Sequence, residues 1–536
     1  VGNNSYDVCV IGTGASGGIL VKTLVDSGLR VISIEQGGAL PEGYFAKPDN
    51  SVDRNFDIHP EASFPIDPHA FAFHNKLYAT REQLSSYPDM PNSFRQFQIF
   101  AMDGLTNLWN GVAVRFSDED FRDWPISYED LSPHYDAVEK LIRVCGTCEG
   151  LEELPDGDFI PAKDLRPPDI LVRDACRNMK NPNLRAIANR KAVETRPDRL
   201  DCCKNTGSCL SGCPHNSVYK FSTRLLPEIQ KSDNFEIKLH SKAVRLNCSD
   251  NGAVNGLEIL NTKTGVKETI SAKTYVLATG ALETPRILFN SATAKHPEGL
   301  ANSSQLLGTG LQDNPKVLLT TSLWKLWGSQ KRYLQGFGDH LLLLARPKTA
   351  EGKSFRCIGQ LVHQLPEVPL YLSKMKWCPA KIKPWLARQL FRSYVTLAFF
   401  GPADRRRENR ILPSSQKDSF GIPQVKVVYN ESSHEQDMQQ AMLELAGTIL
   451  KKASATLLVK EKAGAGLGIH YAGTARMDLN SNQGVVDENL RCHDHPNLYI
   501  CDGSVVPFLP EKHLTLTLMA LAHRLGRHLA KTTFLK

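Results

Sequence analysis

The sequence predicts an α/β protein in which a parallel, nucleotide-binding type of sheet is interleaved with a second, α+β domain. Three observations carry this. A short apolar run, Tyr6-Asp-Val-Cys-Val-Ile11, ends at a glycine-rich turn. A second run of the same kind, residues 274–280, lies far downstream and also ends in glycine. A third strand–helix piece, from Asn497 onward, closes the chain. Continuous apolar runs bounded by glycine are how strands buried on both faces of a parallel sheet read.

The first unit is the most explicit. Residues 6–11 are a strand, residues 15–27 have helical composition with Gly28 as the stop, and Arg30 to Ile34 is a second strand. A strand–helix–strand of about thirty residues is a Rossmann unit. Its turn reads Gly12-Thr-Gly14-Ala15-Ser-Gly17. Gly12 permits the tight turn, Gly14 lets the backbone approach a pyrophosphate, and Gly17 lets helix and strand pack closely. The helix then begins at Ala15 with free amides and a positive dipole end toward the phosphates. Glu35, followed by Gln36, ends the second strand, where a carboxylate can hold both ribose hydroxyls. A second fingerprint is missing, since Gly464-Ala-Gly466-Leu-Gly468 places Ile469 where a third glycine is needed. The first fingerprint alone fits either FAD or NAD; without a second, a nicotinamide electron donor is not expected, and a bound flavin would be reduced by the substrate itself.

Downstream, Thr284-Pro285 opens a helix, and Leu514, Leu518, Leu521 and Leu525 share one face of a terminal helix. The expected division is 1–130, 200–312 and 465–536 for the FAD-binding domain. Residues 131–199 and 313–464 then form the substrate-binding domain.

Composition bounds the rest. The chain has 536 residues, 41% hydrophobic and 23% charged, which excludes wholesale disorder. Its net charge of +7 includes one basic run, Arg405 to Arg407, set beside acids, so no nucleic-acid partner is expected. No run of the roughly 18 apolar residues that a spanning helix needs is present, and no direct membrane span is expected. The opening Val1-Gly2-Asn3-Asn4-Ser5 does not read as a signal peptide. Nine of thirteen cysteines are scattered, which suggests a reducing, cytoplasmic setting, or a periplasmic one after export with a partner subunit.

Several further blocks together resemble the glucose-methanol-choline (GMC) oxidoreductases, from the N-terminus to the C-terminus. Gly104-Leu-Thr106-Asn107-Leu-Trp109-Asn110-Gly111 resembles the loop that lies against the flavin ring. Trp124 to Leu131 resembles the segment after it, and Ala278-Thr279-Gly280 to Arg286 resembles the strand–turn–helix under FAD. Gly310-Leu-Gln-Asp313-Asn314-Pro315 resembles a family turn that usually carries His where Asn314 stands. His470 to Met477 and Asp502-Gly503-Ser504 complete the set. The resemblance also implies cofactor contacts at Val244, Leu514 and Thr515. A tethering His, found before Trp in some pyranose oxidases, is replaced by Leu108, which implies non-covalent FAD.

Alcohol oxidation by a flavin needs a base for the hydroxyl proton and a group that aims the carbon-bound hydride at flavin N5. Neutral imidazole suits the first task. By the resemblance, His470 is the base and His513 its partner, while His493, His495 and His523 read as structural. The terminal helix N-terminus near Leu514 would favour negative charge on the reduced ring.

The segment Asp201-Cys202-Cys203 through Cys209 to Cys213-Pro214 stands apart. Thiolates at short spacing suit an iron–sulfur cluster. Resemblance to electron-transferring sugar dehydrogenases implies a 3Fe–4S cluster on Cys202, Cys203 and Cys209, with Cys213 nearby. Structural thiols, a disulfide turn or zinc are the other readings, adjacent cysteines being an awkward start for tetrahedral zinc. Three functions follow. The first is a dehydrogenase acting on a small, polar, sugar-like or polyol alcohol, passing electrons to an external acceptor or electron-transfer subunit. The second is an oxygen-using oxidase of an aminoglycoside or other natural-product alcohol. The third is a non-catalytic flavoprotein module, against which the two histidines argue.

Overall fold

The computed structural model describes residues 6–45, 77, 79, 84, 86–88, 94–206, 209–327, 339–363, 376–382 and 393–534. The strand Tyr6–Ile11 lies at the centre of a five-stranded parallel sheet. Ala272–Leu277 and then Leu498–Ile500 lie on one side of it, and Val31–Ile34 and then Phe235–Lys238 on the other. Val8, Cys9, Val10 and Tyr275 to Leu277 are fully or almost fully buried, as strands covered on both faces must be. The predicted helix runs Ala15–Asp26, and the chain leaves it through Gly28 at φ +82°, a conformation that glycine adopts without strain.

The terminal helix Thr515–Phe534 packs on Ala15–Asp26 and on Tyr128–Ile142. Leu514, Leu521 and Leu525 are buried, and Leu518 is partly buried against the same core. Tyr128–Ile142 is capped by a Ser127–Asp130 box and contributes Leu131, Tyr135, Val138 and Ile142 to that core.

A second, six-stranded sheet is antiparallel throughout. Its order is Val459–Lys462, Lys316–Ser322, Tyr394–Phe400, Cys357–Val362, Leu341–Ala345 and Leu184–Ala188. The helix Ser433–Lys452 covers one face through Met442, Ala446, Ile449 and Leu450. Lys316, at the start of Lys316–Ser322, and Phe400, at the end of Tyr394–Phe400, line the same cleft as residues that end strands of the first sheet. Among the described residues, no helix is long and apolar enough to cross a membrane.

Candidate active site

A single cleft runs from the first glycine turn to the N-terminus of the last helix. It begins where Tyr6–Ile11 passes into Ala15–Asp26. Gly12 has φ +100°, and a side chain there would lie 2.5 Å from the carbonyl oxygen of Ala278. Gly17 supports the turn from below, since a Cβ would stand 2.0 Å from Gly12 O. Gly14 differs, because a Cβ on it would meet no atom within 4 Å. The open space above Gly14 is a cradle that the protein does not fill. The helix that starts there has neither a side-chain cap nor an acidic residue in its first turn, so its amides face the cleft free for an anion. Glu35 holds the turn's shape by accepting from Thr13 N (3.1 Å), Thr13 Oγ1 (2.6 Å) and Gly37 N (2.9 Å). These contacts suit pyrophosphate and ribose.

Most of the sequence-predicted contacts come together here. Gly12, Gly14, Ala15, Glu35 and Gln36 line the first half of the cleft. Thr106, Asn110, Gly111, Thr279 and Gly280 line its middle. Asp502, Gly503, Leu514 and Thr515 line the end nearest the histidines. Leu108 also lines it and offers no nucleophilic atom. Asn107 acts indirectly, its amide holding the loop closed on the carbonyls of Met102 (2.8 Å) and Gly104 (2.9 Å). The Val244 side chain turns away from the cleft. It packs with Leu260 and Ile422, while Ser241 and Ala243 line the cleft, because alternate residues of a strand face opposite ways. Asp502 is a joint between segments. One carboxylate oxygen accepts from Gly280 N (2.9 Å) and Thr284 Oγ1 (2.6 Å), the other from Ser504 N (2.8 Å) and Oγ (2.6 Å).

The two histidines face each other across the far end. Their ring centroids are 4.8 Å apart at 74°, and Phe400 packs on both, at 5.3 Å from His470 and 4.9 Å from His513. His513 is buried, and neither of its ring nitrogens has a partner among the described residues. Buried polar atoms are rarely left so, and this pair marks a place for a ligand atom. Burial, with Lys316 nearby, brings the His513 pKa down to about 3. Burial, then His513 and Lys316, holds His470 well below the usual histidine range. Both rings are neutral at physiological pH.

The supports of the pair were not all legible. Asp313 accepts from Gly468 N (2.8 Å) and His470 N (2.9 Å). The residue between them, Ile469, has φ +61°, a strained conformation for a β-branched side chain. Two charge-assisted bonds from one carboxylate hold that strain in place. Behind His513, Lys512 is fully buried and pairs with Asp120, which also pairs with Arg356. Lys316, Gln360 and Phe400 line the cleft from the antiparallel sheet. They sit in buried strands whose sequence carries no motif. His495 is tied instead to Gly252 O (2.8 Å) and Ala301 N (3.1 Å), outside the cleft.

The cysteine segment departs from expectation. Cys203, Cys209 and Cys213 line a small cavity with His340 and Asp339, and Cys145 packs beside them. The Cys202 thiol donates instead to Thr195 O at 3.5 Å and does not line that cavity. Among the described residues, no group of three Cys, His, Asp or Glu side chains is arranged to hold a metal ion. The expected 3Fe–4S ligand set of Cys202, Cys203 and Cys209 is not assembled among the described residues.

The family follows from comparison with known proteins. The two GMC oxidoreductase family models match residues 109–316 and 405–522, together over half of the chain. The chain belongs to the GMC oxidoreductases. As a GMC oxidoreductase it is a flavoprotein that binds FAD and acts on alcohol groups. It is 27% identical over 538 residues to 6'''-hydroxyparomomycin C oxidase of Streptomyces lividus, covering 98% of this chain and 91% of the relative. It is 24% identical over 563 residues to the fructose dehydrogenase large subunit of Gluconobacter japonicus, covering 97% of each. Its fold matches the crystal structure of pyridoxine 4-oxidase from Mesorbium loti with a TM-score of 0.65 at 17% identity, covering 98% of this GMC chain and 99% of that one.

Proposed function

We propose that the protein oxidises a CH–OH group of a small, hydroxyl-rich alcohol, sugar-like or polyol, using non-covalently held FAD and an external final acceptor. The observation that carries this is the His470–His513 pair. Two neutral imidazoles face one another at the end of the dinucleotide cleft, one with both nitrogens buried and unpartnered among the described residues. When bound, FAD supplies the acceptor for the carbon-bound hydride. His470 takes the hydroxyl proton, as a neutral imidazole can at this pH. His513 holds the same oxygen, so that the C–H bond keeps one direction. Phe400 seals the pair against water on one side. Gln360 lines the cleft with an amide whose oxygen is held by Asn110 Nδ2 (3.3 Å), which suits it to a further hydroxyl. Leu108 stands where a tether would have to form, which supports non-covalent binding.

The acceptor reading rests on the cysteine turn. Leu210, between Cys209 and Ser211, lines the flavin cleft, and Trp109 packs into the same cluster as the cysteines. Those contacts support an acceptor or mediator docking at the cysteine turn, beside the flavin cleft, without a metal cluster between them. Oxygen as acceptor is the second reading, favoured by the oxidase among the relatives of similar length. Anaerobic mixing with a polyol panel, followed by oxygen or an artificial acceptor, tests both points. Flavin bleaching by polyols and faster recovery with the artificial acceptor is the expected result.

A further inference from the structure

The turn Gly310–Pro315 departs from the family pattern at Asn314, and this residue lies directly behind His470. Its amide is committed on both sides. Nδ2 donates to the carbonyls of Gly401 and Pro510, each at 2.7 Å. Oδ1 lies 2.8 Å from His470 Nδ1. An amide nitrogen carries two protons and an amide oxygen none. Gly401 O and Pro510 O can only accept, so they use both protons. A flipped amide would press its oxygen against two carbonyl oxygens. The orientation is therefore fixed, and the oxygen facing His470 can only accept. His470 Nδ1 must carry the proton, which leaves Nε2 with its lone pair.

We propose that Asn314 is a positioning residue that fixes His470 in the Nδ1–H tautomer and so presents Nε2 as the base. This rests on reading His470 as the base. A neutral acceptor orients the ring without drawing it toward imidazolium, as a carboxylate there would. The same amide ties three distant segments together. Pro510 lies in the loop that carries His513, and Gly401 follows the strand that ends in Phe400, so one side chain sets the spacing of both histidines and their aromatic wall.

Nitrogen labelling of histidine in the holoenzyme tests this directly. The His470 ring signals are those lost in His470→Ala. The expected resting state has the proton on Nδ1 and a bare Nε2. A proton on Nε2 in the wild-type enzyme would overturn the proposal, and this measurement needs no Asn314 variant to fold. In Asn314→Leu, checked for FAD content, the Nε2–H form should appear. Flavin reduction should then fall by on the order of 10² to 10⁴, the range expected when a catalytic imidazole is held in the wrong tautomer or loses its orienting partner. An unchanged tautomer in that variant would overturn the role of Asn314. A changed tautomer with an unchanged rate would instead overturn His470 as the base.

Discussion

Gly14→Ala places a methyl group in the FAD cleft without touching the protein. Among the described residues no non-neighbouring atom lies within 4 Å of the new Cβ, and Gly14 has φ −68° and ψ −159°, an extended conformation with negative φ that alanine can adopt. The apoprotein should therefore be as stable as wild type, or up to about 1 kcal/mol more stable through a less flexible unfolded chain. The ligand feels the change. The methyl occupies the approach of a pyrophosphate to the helix amides, so one or two charge-assisted hydrogen bonds are lost, each about 1.5–3 kcal/mol. At about 1.4 kcal/mol per tenfold, FAD affinity should fall roughly 10- to 10⁴-fold. Gly17→Ala is the contrast. Its Cβ would stand 2.0 Å from Gly12 O, well inside ordinary contact, so strand and helix must separate. That variant should lose about 1–3 kcal/mol of stability even without ligand. Apoprotein melting and flavin-fluorescence titration separate the two. Unchanged FAD affinity in Gly14→Ala, or a marked loss of apoprotein stability, would refute the reasoning.

Other outcomes follow from the same geometry. His470→Ala should keep FAD and lose flavin reduction by about 10²-fold or more. His513→Asn should be milder because an amide can still hold the substrate oxygen, and stopped-flow reduction at saturating substrate ranks the two. A normal rate in His470→Ala would mean that the base is elsewhere. Burial raises Asp313 to about 6, against the lowering by the His470 and Gly468 amides. Flavin reduction should therefore decline as pH falls through about 6, since a protonated carboxyl no longer clamps both amides. Asp313's own contribution to stability has the opposite sign. Its folded pKa is raised, so that contribution is greatest below the unfolded carboxyl range and is lost as pH rises toward 6. A rate that falls there while the protein does not melt distinguishes the clamp from unfolding, and a flat profile would remove the clamp from the account. Lys512→Met leaves Asp120 buried with only Arg356 as its cation and should cost about 1.5–3 kcal/mol, the worth of a hydrogen bond to a charged group, read by denaturant unfolding. Wild-type stability in that variant would show that the buried pair does not anchor the His513 loop.

The N-terminal unit was legible because its signals are local. Strand, glycine turn, helix and Glu35 follow one another within one unit, and each residue answers a short-range demand. The same holds for the strands at 274–280 and 497–502, where apolar runs end at a turn. The side-chain direction of Val244 was not legible, because the block around it does not reveal which face of a strand meets the cleft, and a shift of one residue reverses it. Gln360 and Phe400 were invisible, since a buried strand of a second sheet reads as apolar whether or not it ends at a site. Asn314 was legible as a departure from pattern. Its consequence depends on Gly401, Pro510 and His470, which lie 87, 196 and 156 residues away in sequence. The cysteines misled for a physical reason. Cys202 and Cys203 are adjacent, but their thiols face different surroundings, one toward Thr195 O and the other into the cavity with Cys209.

The central claim is that an alcohol, and not a nicotinamide, reduces the flavin between His470 and His513. The direct measurement is anaerobic mixing of purified holoenzyme with a panel of polyols and sugars, following the visible absorbance of oxidised flavin. At least one polyol should bleach the flavin, NADH and NADPH should not, and His470→Ala holding full FAD should not be bleached by that polyol. Bleaching by a nicotinamide alone, with no polyol or sugar active while dithionite still reduces the flavin, would contradict the claim.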